Sequence, residues 1–214
     1  MTKPVDHEDD RSQREEGREV LIPHAVDFTP VTAVKNRLLL ASLDQLKKGG
    51  LYERYAAAVA PGVPEQIRAS LAMNWAPVEL ALAHYQACDN MLLGAEAAQD
   101  IGARVGAHVQ GTSLVSAAKK AQESRVELWA ALPAIHRMWA RYYQGGSAQI
   151  VKLGPMAMQV ELRGYVLHKF RYFRNGQLAV VSASLTAVGT QLTSAKIASY
   201  SAGRDELALR FTWA

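Results

Sequence analysis

Two segments near the C-terminal end of the chain alternate apolar and polar residues one by one. Every second residue of 156–163, MAMQVELR, is apolar, and the same holds for 206–213, ELALRFTW. Successive side chains of a β-strand point to opposite faces, so this alternation predicts half-buried strands. A shorter segment with apolar residues precedes each of these strands. Residues 148–153 are joined to the first strand by Gly154-Pro155, and residues 194–200 are joined to the second by the loop SAGRD. We therefore expect two hairpins that form a small antiparallel four-stranded sheet.

The segment between the two hairpins, residues 167–189, permits two interpretations. Asn175-Gly176 is typical of a tight hairpin turn. However, apolar and small residues recur there on one helical face over five turns, and Gly189 follows as a C-cap. We favour one helix over 170–188, which gives the order β-β-α-β-β. Its start is rich in Lys and Arg, but Phe170 and Phe173 then face the core, so we expect no nucleic-acid binding.

The preceding residues, 31–143, show helical periodicity. The apolar set of 34–46 ends at Gly49-Gly50, and a second stripe over 78–92 contains Cys88, which we expect to be a buried structural thiol. Gly102 and Gly106 lie four residues apart, a spacing that favours close packing of two helices. The predicted fold is thus α+β: one domain, 21–214, with a helical subdomain (31–143) packed on a sheet-and-helix part (148–214).

The first twenty residues differ from the rest of the chain. They hold seven acidic and four basic residues and almost no apolar ones, which predicts a disordered acidic tail, residues 1–20, that folding does not require. The remainder is basic, at +7, but without a block of like charge. One cysteine, no signal peptide and no apolar run of about 20 residues suggest a cytoplasmic protein without a membrane span.

A ligand site is expected between the predicted helix 170–188 and the sheet. Gln177 and Ser184 are seven residues apart, so they lie on one helical face within the apolar stripe. Met156 and Met158 should lie beneath them, where methionine adapts to variable apolar partners, and Trp139 should face inward from the helix before the sheet. The alternative is a filled core in which both polar residues bond the backbone or water.

The sequence contains no recognisable catalytic or metal motif. The histidines lack the spacing of a zinc site, and there is no nucleophile elbow, phosphate loop or dinucleotide fingerprint. His84 precedes Cys88 by four residues, but a catalytic pair also needs an orienting third group. We therefore expect no enzyme, no metal and no cofactor; the alternative is an enzyme whose site cannot be read from the sequence.

Several segments in this order resemble a paralogous family of domains of unknown function typical of myxobacteria. They are LPAIHRMWARYYQGG, two strands, FRYFRNGQLAVV and a final hairpin that ends LALRFTW. That family is similar to haem-NO-binding domains, 4-vinyl-reductase-type ligand-binding domains and TRAPP trafficking subunits. The resemblance implies a helical subdomain on a small antiparallel sheet, with a ligand cavity or an interaction surface and without catalysis.

The same resemblance raises a haem alternative. His136 stands near the position at which haem-NO-binding domains carry their proximal ligand, but VELRGYV stands where their Tyr-x-Ser-x-Arg motif would be. Our leading hypothesis is a sensor or adaptor domain that binds an apolar small molecule or a protein partner in the helix–sheet groove. A haem-based gas sensor using His136 is the alternative, and a homodimer is left open.

Overall fold

The computed structural model describes residues 18–108 and 128–214, and for 131, 134, 135 and 138 only the backbone. Within these ranges, no helix combines the length and the apolar character that crossing a membrane requires. The helices are α1 (Asn36–Lys48), α2 (Tyr52–Ala58), α3 (Val63–Ala69), α4 (Val78–Asn90), α5 (95–108), α6 (Leu128–Trp139) and α7 (Arg171–Ala187). Short 3-10 turns at Val166–Lys169 and Ala202–Arg204 precede α7 and join the last two strands.

Among the described residues the strands form two antiparallel sheets. The larger sheet has the order β1-β5-β6-β8-β7, and the smaller one has the order β3-β2-β4. The strands are β1 (Glu19–Ile22), β2 (Ala33–Lys35), β3 (Trp75–Pro77), β4 (Tyr143–Gln144), β5 (Ser147–Gly154), β6 (Ala157–Arg163), β7 (Leu192–Ser201) and β8 (Glu206–Trp213).

The α+β fold and the β-β-α-β-β order of its C-terminal part are confirmed. Strands β5–β6 and β7–β8 form the two hairpins, with α7 between them. In the pair β6–β8, Met158 lies opposite Phe211 and Val160 opposite Leu209, and all four are at most 2% exposed. Trp213 is half-buried and its ring centroid lies 5.2 Å from that of Trp129 in α6. The alternating segments therefore supply the sheet side of the core.

The larger sheet has five strands, whereas four were expected. The fifth, β1, pairs with β5 and places Val20 opposite Val151. Its sequence, EVLI, directly follows a run of acidic and basic residues. The charged residues dominate the composition of this region, so composition does not indicate a four-residue strand there. Residues 1–17 of the predicted tail lie outside the described residues, and its last two residues, Glu19 and Val20, belong to β1.

The three-stranded sheet holds the starts of two helices together. Strand β2 runs directly into α1 and β3 runs directly into α4, and the two strands pair with Val34 opposite Ala76. On its other side β2 pairs with β4, which follows α6. Strands of two or three residues give no alternation to detect, so sequence patterns do not predict this sheet.

Helix α7 is the central helix of the fold. It runs through Asn175-Gly176, so the helical interpretation is confirmed and the hairpin alternative is wrong. One face of α7 packs on β7 and β8, and the other packs on the helical layer. There, a Cβ placed on Gly102 of α5 would lie 2.6 Å from the Cα of Gly176, and one on Gly106 would lie 3.3 Å from the Cα of Val180. The close helix packing predicted for Gly102 and Gly106 is therefore confirmed.

The contact between α5 and α7 gives a matched pair of glycine substitutions. Gly102→Ala adds a methyl group where only backbone is available to move, so we expect the free energy of unfolding to fall by about 1–2 kcal/mol. Gly176→Ala places its methyl group where nothing lies within 4 Å, and should raise the free energy by up to ~1 kcal/mol through helix propensity. Urea denaturation of both variants measures this, and equal effects would contradict the close approach.

Candidate functional site

Gln177 does not face the sheet but lines a cavity in the helical layer. Its side chain is 5% exposed, and its Nε2 donates a hydrogen bond to the hydroxyl oxygen of Tyr143 in β4. Because that oxygen acts as the acceptor, the phenol hydrogen of Tyr143 can be donated to another group. Gln177 and Tyr143 thus form one polar wall of a space enclosed by α1, α4, α5 and α7.

This space, the Gln177 cavity, has a volume of about 40 Å³. A water molecule needs roughly 10–15 Å³ on the same measure, so the cavity has room for about three water-sized spheres. Its described lining consists of Leu38, Ser42, Tyr85, Ala98, Ile101, Gly102, Val105, Tyr143, Tyr172, Phe173, Gly176, Gln177 and Val180. None of these lining residues is charged, and five of them bring a hydroxyl or amide group.

Tyr172, at the first turn of α7, brings a hydroxyl group without a hydrogen-bond partner among the described residues. The side chain is 6% exposed and its Oη is completely buried. Ser42 and Cys88 are near enough to act on its pKa as weak hydrogen-bonding neighbours, in opposite directions, but neither contact reaches the full geometry of a hydrogen bond. Burial raises the pKa of Tyr172 well above its ordinary value, so the phenol stays protonated and can act as a donor.

Ser42 connects the cavity to a buried polar cluster around His84. The two ring nitrogens of His84 lie 3.0 Å from Tyr55 Oη and 3.0 Å from Ser42 Oγ. Cys88 Sγ lies 3.7 Å from His84 Nε2. His84 and Cys88 are both 0% exposed, as expected for a structural thiol. This cluster ties α1, α2 and α4 together.

The electrostatics of the cluster oppose nucleophilic chemistry. Burial lowers the pKa of His84 to about 3, so the imidazole is neutral. Burial also raises the pKa of the Cys88 thiol, whereas an activated cysteine has a lowered one. Ser42, His84 and Cys88 have the residue types of a catalytic centre, but their environment keeps all three uncharged.

The other predicted site residues are dispersed. Ser184 is 4% exposed, and its hydroxyl donates to the backbone oxygen of Val180 at 2.8 Å. Met158 is buried in β6, but Met156 lies in the turn before that strand and is 45% exposed, so they do not share one inward face. Trp139 ends α6, half-buried, with an indole Nε1 that is buried and unbonded within the described parts. Apart from Gln177, none of the five lines the cavity.

His136 has a structural partner. Its Nε2 lies 2.9 Å from the backbone oxygen of Ala148, to which it donates, and the bond fastens α6 to β5. A haem ligand would need a ring nitrogen with its lone pair directed at the iron. With Nε2 engaged by Ala148, Nδ1 is the ring nitrogen that keeps a lone pair, and the sequence lacks the propionate motif; the haem alternative stays a prediction.

A metal site and an open surface groove are two further candidates. Within the described residues, no group of three or more His, Cys, Asp or Glu side chains is arranged to hold a metal ion. An open groove of about 540 Å³ lies between α5, α7 and β7, on the side of the helix crossing away from the Gln177 cavity. Its lining is dominated by alanines, and Ser182 there donates to the backbone oxygen of Leu178 at 2.8 Å.

Comparison with known proteins found no matching family model, no similar curated protein and no similar solved structure. The resemblance to the myxobacterial family and to ligand-binding domains therefore stays a prediction.

Sequence patterns missed Ser42, Tyr143 and Tyr172 as parts of one site. Each belongs to a different element, α1, β4 or α7, and their separation along the chain exceeds any motif spacing. The available signal was chemical: buried tyrosine hydroxyls usually require partners, and Tyr143 and Tyr172 both occur within apolar stripes. That signal identifies candidates, but it does not show which of them meet.

Two buried histidines should make the stability of the protein sensitive to acid. Burial lowers the pKa of both His84 and His168 to about 3, whereas the unfolded value is 6.5. As the pH falls, the histidines of the unfolded chain therefore become protonated at a higher pH than those of the folded chain. Each neutral histidine contributes stability that is present above pH 6.5 and is lost as pH falls toward 3, by about 1.4 kcal/mol per pH unit.

Phenylalanine substitutions distinguish the contributions of His84 and His168 to the acid sensitivity. Both ring nitrogens of His168 lack hydrogen-bond partners within the described residues, although the backbone of Asp205 lies nearby. His168→Phe should thus reduce the acid-dependent loss of stability at little cost at pH 7. His84→Phe removes the contacts with Tyr55 and Ser42 and should destabilise at both pH values. Urea denaturation at pH 7 and pH 5 tests this, and an unchanged pH dependence in His168→Phe would contradict it.

Proposed function

We propose that this chain is a non-enzymatic sensor domain that binds a small uncharged molecule in the Gln177 cavity. The carrying observation is Tyr172, a residue of the cavity lining whose buried hydroxyl meets no described group in full hydrogen-bond geometry. A buried unsatisfied donor costs about 1–3 kcal/mol, and a ligand with an acceptor atom recovers that cost.

The lining restricts the ligand class. Since no charged residue is among the described lining and His84 is neutral, an ionic ligand would lose its hydration without compensation. The volume of about 40 Å³ corresponds to a molecule of roughly two to four non-hydrogen atoms. Tyr172 and Tyr143 offer hydroxyl hydrogens, and Leu38, Ile101 and Val105 offer apolar surface. A small ketone, alcohol or amide matches this combination.

The position of the cavity gives the binding event a structural consequence. Gly102 and Gly176 both line it and also form the closest contact between α5 and α7. A ligand that exceeds the available volume must move these helices apart, because the backbones already touch. Occupancy by a molecule larger than the empty cavity is thereby coupled to the distance between α5 and α7, and such coupling is the property that a sensor domain requires.

Other functions have less support. An enzyme would require activated groups, and the cluster of Ser42, His84 and Cys88 is held uncharged by burial. A haem sensor would also need groups that hold the propionates, and the sequence lacks the motif that supplies them. A protein adaptor would use the open groove beside α7, and no described feature of that groove indicates a particular partner. We therefore place the ligand in the Gln177 cavity.

Cavity-filling and polar-deletion variants test the proposal. Ala98, 2% exposed, lines the cavity, and Ala98→Leu should occupy it. The probes are acetone, 2-propanol and acetamide, with acetate as the charged comparison, and binding is followed by amide chemical shifts in NMR. Wild type should respond to neutral probes only. Ala98→Leu should lose the response, and Gln177→Leu should weaken it about tenfold through loss of polar contacts.

Ser184→Ala is the matched control. Ser184 is buried on the same helix, but it is absent from the cavity lining, so its variant should bind the probes like wild type. Probe binding by a folded Ala98→Leu variant that equals wild type would refute the site. A wild-type protein that responds to no neutral probe would show a cavity that holds water alone, and would refute the proposed function.

A further inference from the structure

The turn between α3 and β3, residues 70–74, exposes two large apolar side chains. Leu71 is 73% exposed and Met73 is 70% exposed, and they are two residues apart. Neither contributes to the core or to the Gln177 cavity. Their exposure therefore has no explanation in the stability of the fold.

Hydrogen bonds hold this turn in one conformation. The backbone N–H groups of Asn36 and Arg37, at the start of α1, donate to the backbone oxygens of Asn74 and Ala72, both at 3.0 Å. The wholly buried side-chain amide of Asn36 donates to the oxygen of Ser70 at 2.8 Å. Because the carbonyl groups of the turn are directed at α1, the turn stays fixed while Leu71 and Met73 remain in solvent.

One cationic side chain contacts the base of the turn and a second lies on the neighbouring strand connection. Lys35 Nζ donates to the backbone oxygen of Met73 at 2.8 Å and lies 3.9 Å from the centroid of the half-buried Trp75 ring. Arg141, an exposed residue, precedes Tyr142, whose backbone oxygen accepts from the Lys35 N–H at 2.8 Å. The guanidinium of Arg37 is directed elsewhere, since its Nη2 donates to the backbone oxygen of His108 in α5 at 2.9 Å. Among residues 18–108 and 128–214, no carboxylate forms an ion pair with Lys35, Arg37 or Arg141.

We propose that the 70–74 turn attaches this domain to the surface of an anionic membrane. Leu71 and Met73 would enter the boundary between headgroups and acyl chains, and Lys35 and Arg141 would face the negatively charged headgroups. Trp75 is a residue type that favours the same interfacial depth. This inference does not depend on the Gln177 cavity.

A lipid surface explains the arrangement better than a protein pocket does. A stable protein interface buries about 800 Å² on each partner, which two side chains on a tight turn cannot supply. Membrane association instead sums apolar insertion and attraction of basic residues to anionic lipid, and both terms are present here. Two apolar side chains and a few cations predict weak, reversible binding.

Vesicle sedimentation with the full chain tests the proposal. Wild type should bind vesicles of phosphatidylcholine with about 30% phosphatidylserine, weakly bind pure phosphatidylcholine, and dissociate as salt is raised. The double variant L71S/M73S should lose about tenfold or more in partition coefficient. Arg141→Gln, at an exposed cation, should weaken binding only to the anionic vesicles.

Leu92→Ser is the matched control, because Leu92 is 80% exposed at the end of α4, away from the turn. It should bind vesicles like wild type, and all variants should melt like wild type. Wild-type binding that L71S/M73S leaves unchanged would overturn the proposal, as would absence of binding to both vesicle types. Concentration-dependent dimers that only L71S/M73S abolishes, without vesicle binding, would show that the turn contacts a second copy instead.

Discussion

The structure depends on the burial of α7 from both sides. Most helices in small α+β proteins cover a sheet with one face and expose the other, but α7 has the sheet on one side and the helical layer on the other. Nine of its residues are buried, including Tyr172, Asn175, Gln177 and Ser184. Such a helix has to satisfy its polar side chains internally; Gln177 bonds Tyr143 and Ser184 bonds the backbone of Val180, whereas the hydroxyl of Tyr172 is left over.

Small residues make this double burial geometrically feasible. The backbones of α5 and α7 meet at Gly102 and Gly176, where no side chain intervenes. Larger side chains resume on both sides of the contact, as Phe173 and Val180 in α7 and Ile101 and Val105 in α5. Close contact at one point and bulky residues beside it leave unfilled space, so the Gln177 cavity follows from the helix crossing.

The sequence was informative where a pattern had enough length to repeat. Strands β6 and β8 and helix α7 each offer several periods of alternation or helical spacing, and the structure confirms them. Strand β1, with four residues after a charged run, and β2 to β4, with two or three residues each, offer none. Met156 shows a related limit. It continues the alternation of β6 in the sequence, but it belongs to the turn that follows Gly154-Pro155, because strand pairing starts only at Ala157.

The candidate site was predictable only in part, for a physical reason. Gln177 stood out because an amide within an apolar stripe needs a partner, but periodicity fixes a face of a helix and not the neighbour of that face. Gln177 was predicted to face the larger sheet, but α7 is covered on both sides, and the amide bonds Tyr143 of β4 on the opposite side of the helix. Ser184 shows that a buried hydroxyl can instead be satisfied by its own helix.

The Gln177 cavity also has a volumetric consequence. Space that the folded chain encloses but cannot fill is lost when the chain unfolds, so the system contracts by an amount that scales with the void. For a cavity of about 40 Å³ this contribution lies near the lower end of the usual ~20–100 mL/mol. Hydrostatic pressure therefore acts selectively on the layer between α5 and α7, and any molecule that fills the cavity makes that layer less compressible.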